Sequence, residues 1–84
     1  MRMLEKLREY ESQYVFVKWA FGGEYGKLLG VGDDYIELAV IDVDTMEYRE
    51  TLMIVAPLIF EISLGGADIA RIVAEVSSRM SVHE

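Results

Sequence analysis

Eighty-four residues make one domain, near the size at which a single core supplies only a few kcal/mol and burial against further copies becomes an asset. A hydrophobic share of 52% and a mean hydropathy of +0.21 exclude a disordered chain, while 15 acidic against 8 basic residues, a net charge of -7, exclude long-range attraction to a nucleic-acid backbone. The absence of cysteine excludes disulfides and thiolate metal sites, and charged residues break up the first ten positions, so a cytoplasmic chain with no signal peptide and no membrane contact is expected.

Residues 2 to 11 fit a short helix, with Met3, Leu4, Leu7 and Tyr10 on one side and Arg2, Glu5, Lys6 and Glu9 on the other. From Tyr14 to Phe21 the residues become β-branched and aromatic, and this first strand is apolar on both faces for most of its length. Gly22-Gly23 turns the chain, and Tyr25 to Val31 forms a second strand. Gly32-Asp33-Asp34 turns it again, and Tyr35 to Val43 forms a third. Leu28, Ile36, Leu38 and Val40 line one buried face, and the interior glycines Gly26, Gly30 and Gly32 predict a sharp bend or a close backbone approach.

After an Asp44-Thr45 turn, Met46 to Val55 reads as a fourth strand, Ala56-Pro57 as a break, and Leu58 to Leu64 as a fifth. Five short strands at hairpin spacing predict a mainly β fold, a strongly bent antiparallel meander closed into a small barrel over residues 14 to 64. The expected core includes Val15, Val17, Leu28, Ile36, Leu38, Val40, Ile54, Phe60 and Ile62. Gly65-Gly66 ends the sheet, and residues 67 to 80 predict a second helix with Ile69, Ile72, Val73, Val76 and Met80 on one face and a Glu75 to Arg79 pair, before a frayed tail from Ser81 to Glu84.

The run from Leu52 to Phe60 is apolar on both faces, and an open barrel leaves two unpaired edges. Pairing the fourth strand of one copy with the fifth of the next covers both, through Leu52, Met53, Ile54, Val55, Leu58, Ile59 and Phe60, and predicts a homo-oligomeric ring.

Gly22, Tyr25, Gly26, Leu28, Asp33, Tyr35, Ile36 and Leu38, preceded by a helix and followed by strands that need partners, resemble the first motif of the Sm-like family of small RNA-binding barrels. The resemblance spans roughly Met3 to Leu64. It departs from the family in its glycine-to-aspartate spacing, in Glu37 where asparagine is expected, and in the second motif, where Ile54, Val55 and Ala56 lack the following arginine. SH3-like and PRC-type barrels share the strand pattern.

The family's fold and ring assembly are what the resemblance implies first. It further implies that the loops after the second and fourth strands hold single-stranded RNA, or DNA, in a non-catalytic role in RNA processing, with Asp33, Tyr35, Glu37, Val55 and Ala56 as the nucleic-acid-binding positions. Tyr35 is either a stacking platform for a base or a turn tyrosine packed on its neighbour. Glu37 is either a base acceptor or a solvated strand charge, and Arg2, Lys6 and Arg8 are either a small cationic face or part of a mixed surface with Glu5, Glu9 and Glu11. Negative charge and the missing arginine favour the alternative of a protein-interaction ring that binds no nucleic acid.

No enzyme chemistry is expected. GGEYGKL lacks the spacing and the hydroxyl of a phosphate loop, and GVGDD lacks the third glycine of a dinucleotide fingerprint. Asp42, Asp44 and Glu47 fit a hairpin turn better than a cation loop, and the single histidine, His83, stands in the tail. No cofactor and no metal are expected.

Overall fold

A computed structural model describes residues 2 to 82, and of 79 to 82 the backbone alone. The predicted side chains of Arg79 and Met80, and His83 with Glu84, lie outside the described residues. Helix α1 (Arg2–Leu7) runs on into a 3-10 turn (Arg8–Tyr10). Strands β1 (Tyr14–Trp19), β2 (Gly22–Val31), β3 (Tyr35–Asp42), β4 (Glu47–Val55) and β5 (Ile59–Ser63) follow, with a second 3-10 turn (Ala56–Leu58) between β4 and β5, and helix α2 (Ala67–Val82) ends the described chain.

The strands form one antiparallel sheet in the order β4-β3-β2-β1-β5. The ladder stops at β4 on one side and β5 on the other, so the closed barrel expected from the sequence is not seen. The sheet nevertheless curls hard, because its two opposite edges are joined by the three-residue turn Ala56–Leu58. Four strand spacings of roughly 4.8 Å put the edges of a flat sheet about 19 Å apart, whereas a 3-10 turn of this length rises only about 6 Å. The ends of β4 and β5 must therefore converge. Bulges between Lys18 and Trp19, Leu28 and Gly30, and Val40 and Ile41 supply local bending.

Gly26 shows how close the backbones come. It is buried, and a Cβ added to it would lie 2.5 Å from the carbonyl oxygen of Ala39 and 2.9 Å from Leu38 Cγ. Backbone on a neighbouring strand cannot move aside as a side-chain tip can, so the close approach predicted from the glycines is located at this residue.

The inner face of the sheet carries the core. Val15, Val17, Leu28, Ile36, Leu38, Val40 and Ile54 are almost wholly buried there, with Leu4, Leu7 and Ala56. Six residues are too few for a helix to hold itself in water, so α1 persists because Leu4 and Leu7 are buried, each contributing about 1.5 to 3 kcal/mol. The segment after it is stitched to β2: Ser12 N–H donates to Leu28 O at 2.7 Å, Leu28 N–H to Gln13 O at 2.9 Å, and Val31 N–H to the Glu11 carboxylate at 3.0 Å. Helix α2 packs on β1 and buries Ile69 and Ile72, while Val73, expected on the same buried face, stays 43% exposed.

Several predicted boundaries shift. β1 ends at Trp19, and Phe21, 78% exposed, sits in the turn with its ring edge-on to Trp19 at 5.3 Å. β2 begins at Gly22 and not at Tyr25, since the Gly22-Gly23 pair joins the ladder opposite Trp19 and Lys18. Met46 does not open β4; with φ at 60° it closes a turn in which its N–H donates to Asp42 O, and its side chain is buried. Leu58 belongs to the 3-10 turn and not to the last strand. Phe60 is not in the core: Lys18 faces Glu61 and Trp19 faces Ile59, so Phe60 is the extra residue of a bulge and is 68% exposed. Ile62, opposite Val17, packs against the core as predicted. α2 runs through Val82, past the predicted end at residue 80.

Because its added methyl group would meet a carbonyl on the next strand, Gly26→Ala is expected to lower stability by about 1 to 3 kcal/mol, measured by urea unfolding. Gly65→Ala, whose Cβ would meet nothing within 4 Å, is the control expected to stay within about 1 kcal/mol of wild type.

Candidate nucleic-acid interface

The β2–β3 turn and the end of β4 are adjacent in the fold, and main-chain hydrogen bonds hold them there. Gly32 N–H donates to Tyr35 O at 2.8 Å and closes the turn, and Ala56 N–H donates to Asp34 O at 2.7 Å and ties the turn to the chain leaving β4. Tyr35 stands opposite Val55, and Glu37 opposite Met53. Since Ile36 and Leu38 point into the core, Tyr35 and Glu37 point outward with Val55 and Met53.

Asp33, Tyr35, Glu37 and Val55 thus meet at one outer corner of the sheet. Ala56 is at that corner too, but only 3% exposed, so it offers a ligand nothing except through its neighbours. Its N–H is already used by Asp34. The Tyr35 ring lies over Gly32, where an added Cβ would fall on the ring carbons Cε1, Cζ and Cδ1. That leaves Tyr35 half-buried, with its inward ring face taken by the turn and the opposite face turned away from it. Gly32 is needed here for space, not for an unusual φ.

Charge at the corner is acidic. Asp33 is fully exposed and pairs with Arg8 across 3.5 Å, and Asp34 is exposed beside it. Lys27 lies on the same outer face, opposite Ala39 and two positions along β3 from Glu37. A phosphate near Tyr35 would meet Asp33, Asp34 and Glu37 before any cation other than the engaged Arg8. The absent arginine of the second motif is therefore not replaced from elsewhere at this corner.

Of the predicted interface residues, Met53 (63% exposed), Val55 and Phe60 are open to solvent, Leu52, Leu58 and Ile59 are half-buried, and Ile54 is sealed in the core. Ile54 supports the edge from behind and makes no outward contact. Both free edges of the sheet present apolar side chains, Met53 and Val55 on β4 and Phe60 on β5.

A second polar feature was not visible in the sequence. On the outer face Phe16 and Tyr25 pack with ring centroids 4.6 Å apart, Gly23 leaves room for the Phe16 ring, and the Tyr25 hydroxyl donates to the Asp68 carboxylate at 3.0 Å. The pair joins β2 to the first turn of α2 across forty-three positions, and no local pattern signals a contact of that separation. Asp68 was legible only as a first-turn acid suited to the helix N-terminus.

The Asp42–Glu47 segment is a capped turn. The Asp42 carboxylate accepts from Asp44 N–H at 2.8 Å and Thr45 N–H at 3.3 Å. Among the described residues no three metal-ligating side chains converge, and no helix is long and apolar enough to cross a membrane. Compared with known proteins, the chain matches no family model, no curated protein and no solved structure.

The hydrogen bond to Asp68 raises the Tyr25 phenol above its ordinary value of 10.0, with desolvation and the carboxylate's charge acting in the same direction and Arg71 opposing them. A pKa raised on folding stabilises the native state fully below the unfolded value near 10, and that stabilisation is lost as pH rises through the folded value. Tyr25→Phe is therefore expected to be less stable than wild type at neutral pH. The gap should close above pH 10 in parallel denaturation series.

Proposed function

We propose that this chain is a ring-forming, Sm-like small-barrel protein that holds single-stranded RNA at the corner between the β2–β3 turn and the end of β4, in a non-catalytic role in RNA processing. The observation that carries the reading is the convergence of that corner. Asp33 of the β2–β3 turn, Tyr35 and Glu37 of β3 and Val55 of β4 are brought together by the Asp34–Ala56 main-chain bond and the Tyr35–Val55 register. Ring assembly draws support from the strand order, which leaves β4 and β5 as free edges, and from the exposed Met53, Val55 and Phe60 along them. The curl required by the Ala56–Leu58 link supports the barrel-like form.

RNA held here would be held by its bases. Tyr35 offers a ring for stacking, worth about 1 to 3 kcal/mol per base, and Glu37 offers an acceptor to amino or imino groups. With no unengaged cation among the corner residues, few counterions would be released and affinity would depend only weakly on salt. The same acidity favours a second reading, in which the ring binds a polypeptide and no nucleic acid.

Two measurements test these statements. Light scattering at roughly 10 μM should give a mass several times that of one chain, and Met53→Glu with Phe60→Glu should reduce it to the monomer, because a charge on each edge opposes burial. A monomeric wild type defeats the ring. Titration of fluorescent homopolymer RNA and DNA at low and moderate salt should show base preference, with Tyr35→Ala weakening binding about 5- to 150-fold. Absence of binding to every oligomer at low salt would leave the polypeptide-binding ring.

A further inference from the structure

The charges of α1 are sorted by the fold. Glu11 is turned to Val31 N–H and Arg8 to Asp33. Arg2 and Lys6, one helical turn apart and so on one face, instead flank a groove of about 340 Å³ floored by Met3, Leu7, Ile62 and Leu64. No acidic side chain lines it, and among the described residues neither cation has an ion-pair partner within 4.0 Å. The groove lies at the end of β5, on the inner side of the sheet where α1 packs.

β4 has the complementary character. It has nine residues against five in β5. Its C-terminal part, Thr51 to Val55, matches the length of β5, and the surplus is the segment Glu47 to Glu50. Arg49 is the extra residue of the β3–β4 bulge, with Glu50 opposite Val40 and Tyr48 opposite Ile41. That bulge puts both acids on one side: Glu50 shares the inner face with Val40, and Glu47, opposite Asp42, shares it as well.

We propose that Glu47 and Glu50 of one copy dock in the α1–β5 groove of the next copy, against Arg2 and Lys6. The inference rests on the edge-pairing reading above and fixes its direction and register. Antiparallel pairing that spans β5 and matches inner faces on the C-terminal side of its bulge sets Leu52 opposite Ile62 and Glu50 opposite Leu64, a residue of the groove floor. Glu47 then continues under α1. Parallel pairing would carry the two acids to the other end of β5, away from any cation of α1. The occupant is thus a second copy, chosen by charge, by strand length and by face.

Charge reversal tests it, since all four residues are exposed and contribute nothing to the core. Assembly is followed by light scattering and sedimentation over a dilution series at roughly 50 mM salt, where screening is weak. Arg2→Glu with Lys6→Glu, or Glu47→Lys with Glu50→Lys, should each raise the concentration of half-dissociation by about tenfold or more. The four substitutions together should restore it to within about threefold of wild type, with unchanged circular dichroism throughout. An assembling wild type indifferent to either reversal, or a fourfold variant that is not rescued, overturns this contact and leaves edge pairing standing. A wild type that is monomeric at every concentration overturns both.

Discussion

Three residues, Ala56 to Leu58, join opposite edges of a five-stranded sheet, and most of the remaining structure follows from that short reach. A link of this length requires the sheet to roll up, and rolling requires places where backbones pass close and strands bend. Gly26, pressed against the Ala39 carbonyl, is the first kind of place. The three bulges are the second. Rolling also encloses the alternate residues of β1 to β4 in one core that the apolar side of the short helix α1, through Leu4 and Leu7, is enough to cap.

Register does the remaining selection. With Ile36, Leu38 and Val40 at or near zero exposure, a one-residue slip of β3 would exchange them for Tyr35, Glu37, Ala39 and Ile41, and bury a carboxylate. The core therefore dictates which side chains reach the outer corner. A candidate site built from Tyr35, Glu37 and Val55 is as rigid as the hydrophobic face behind it. Of its acids, Glu37 is fixed by that face, whereas Asp33 and Asp34 belong to the turn, which the core does not constrain.

Legibility from sequence divides along the same line between local and distant causes. Alternation from Tyr35 to Val40 and the glycines of β2 announced the central hairpin, its buried face and the close approach at Gly26, because those are properties of a few adjacent residues. Phe60 misled because its bulge arises from pairing with Lys18 and Trp19 of β1, far earlier in the chain, and nothing near Phe60 marks it. Phe21 misled because aromatic alternation continues one step past the point where the chain turns. The grouping of Tyr35 with Val55 and Ala56 came only from the family resemblance, and the burial of Ala56, which continues the alternation of Ile54 inward and Val55 outward, removes it from the exposed set. Likewise, the mixed charges of residues 2 to 11 resolved into separate roles only when Glu11 and Arg8 found distant partners.

The bulge at Arg49 changes what kind of sequence variation β4 can absorb. An exposed bulged residue contributes little through its side chain, so its identity is nearly free. Its presence lets Glu47 and Glu50, three positions apart, face the same side, which regular alternation would forbid. A deletion taken at the bulge leaves Glu50 opposite Val40 and Tyr48 opposite Ile41 in an unbroken ladder, so the strand loses a bend and neither acid turns over. A deletion of Thr51 instead turns Glu50 outward, and β4 therefore absorbs the loss of a residue on one side of Glu50 but not on the other.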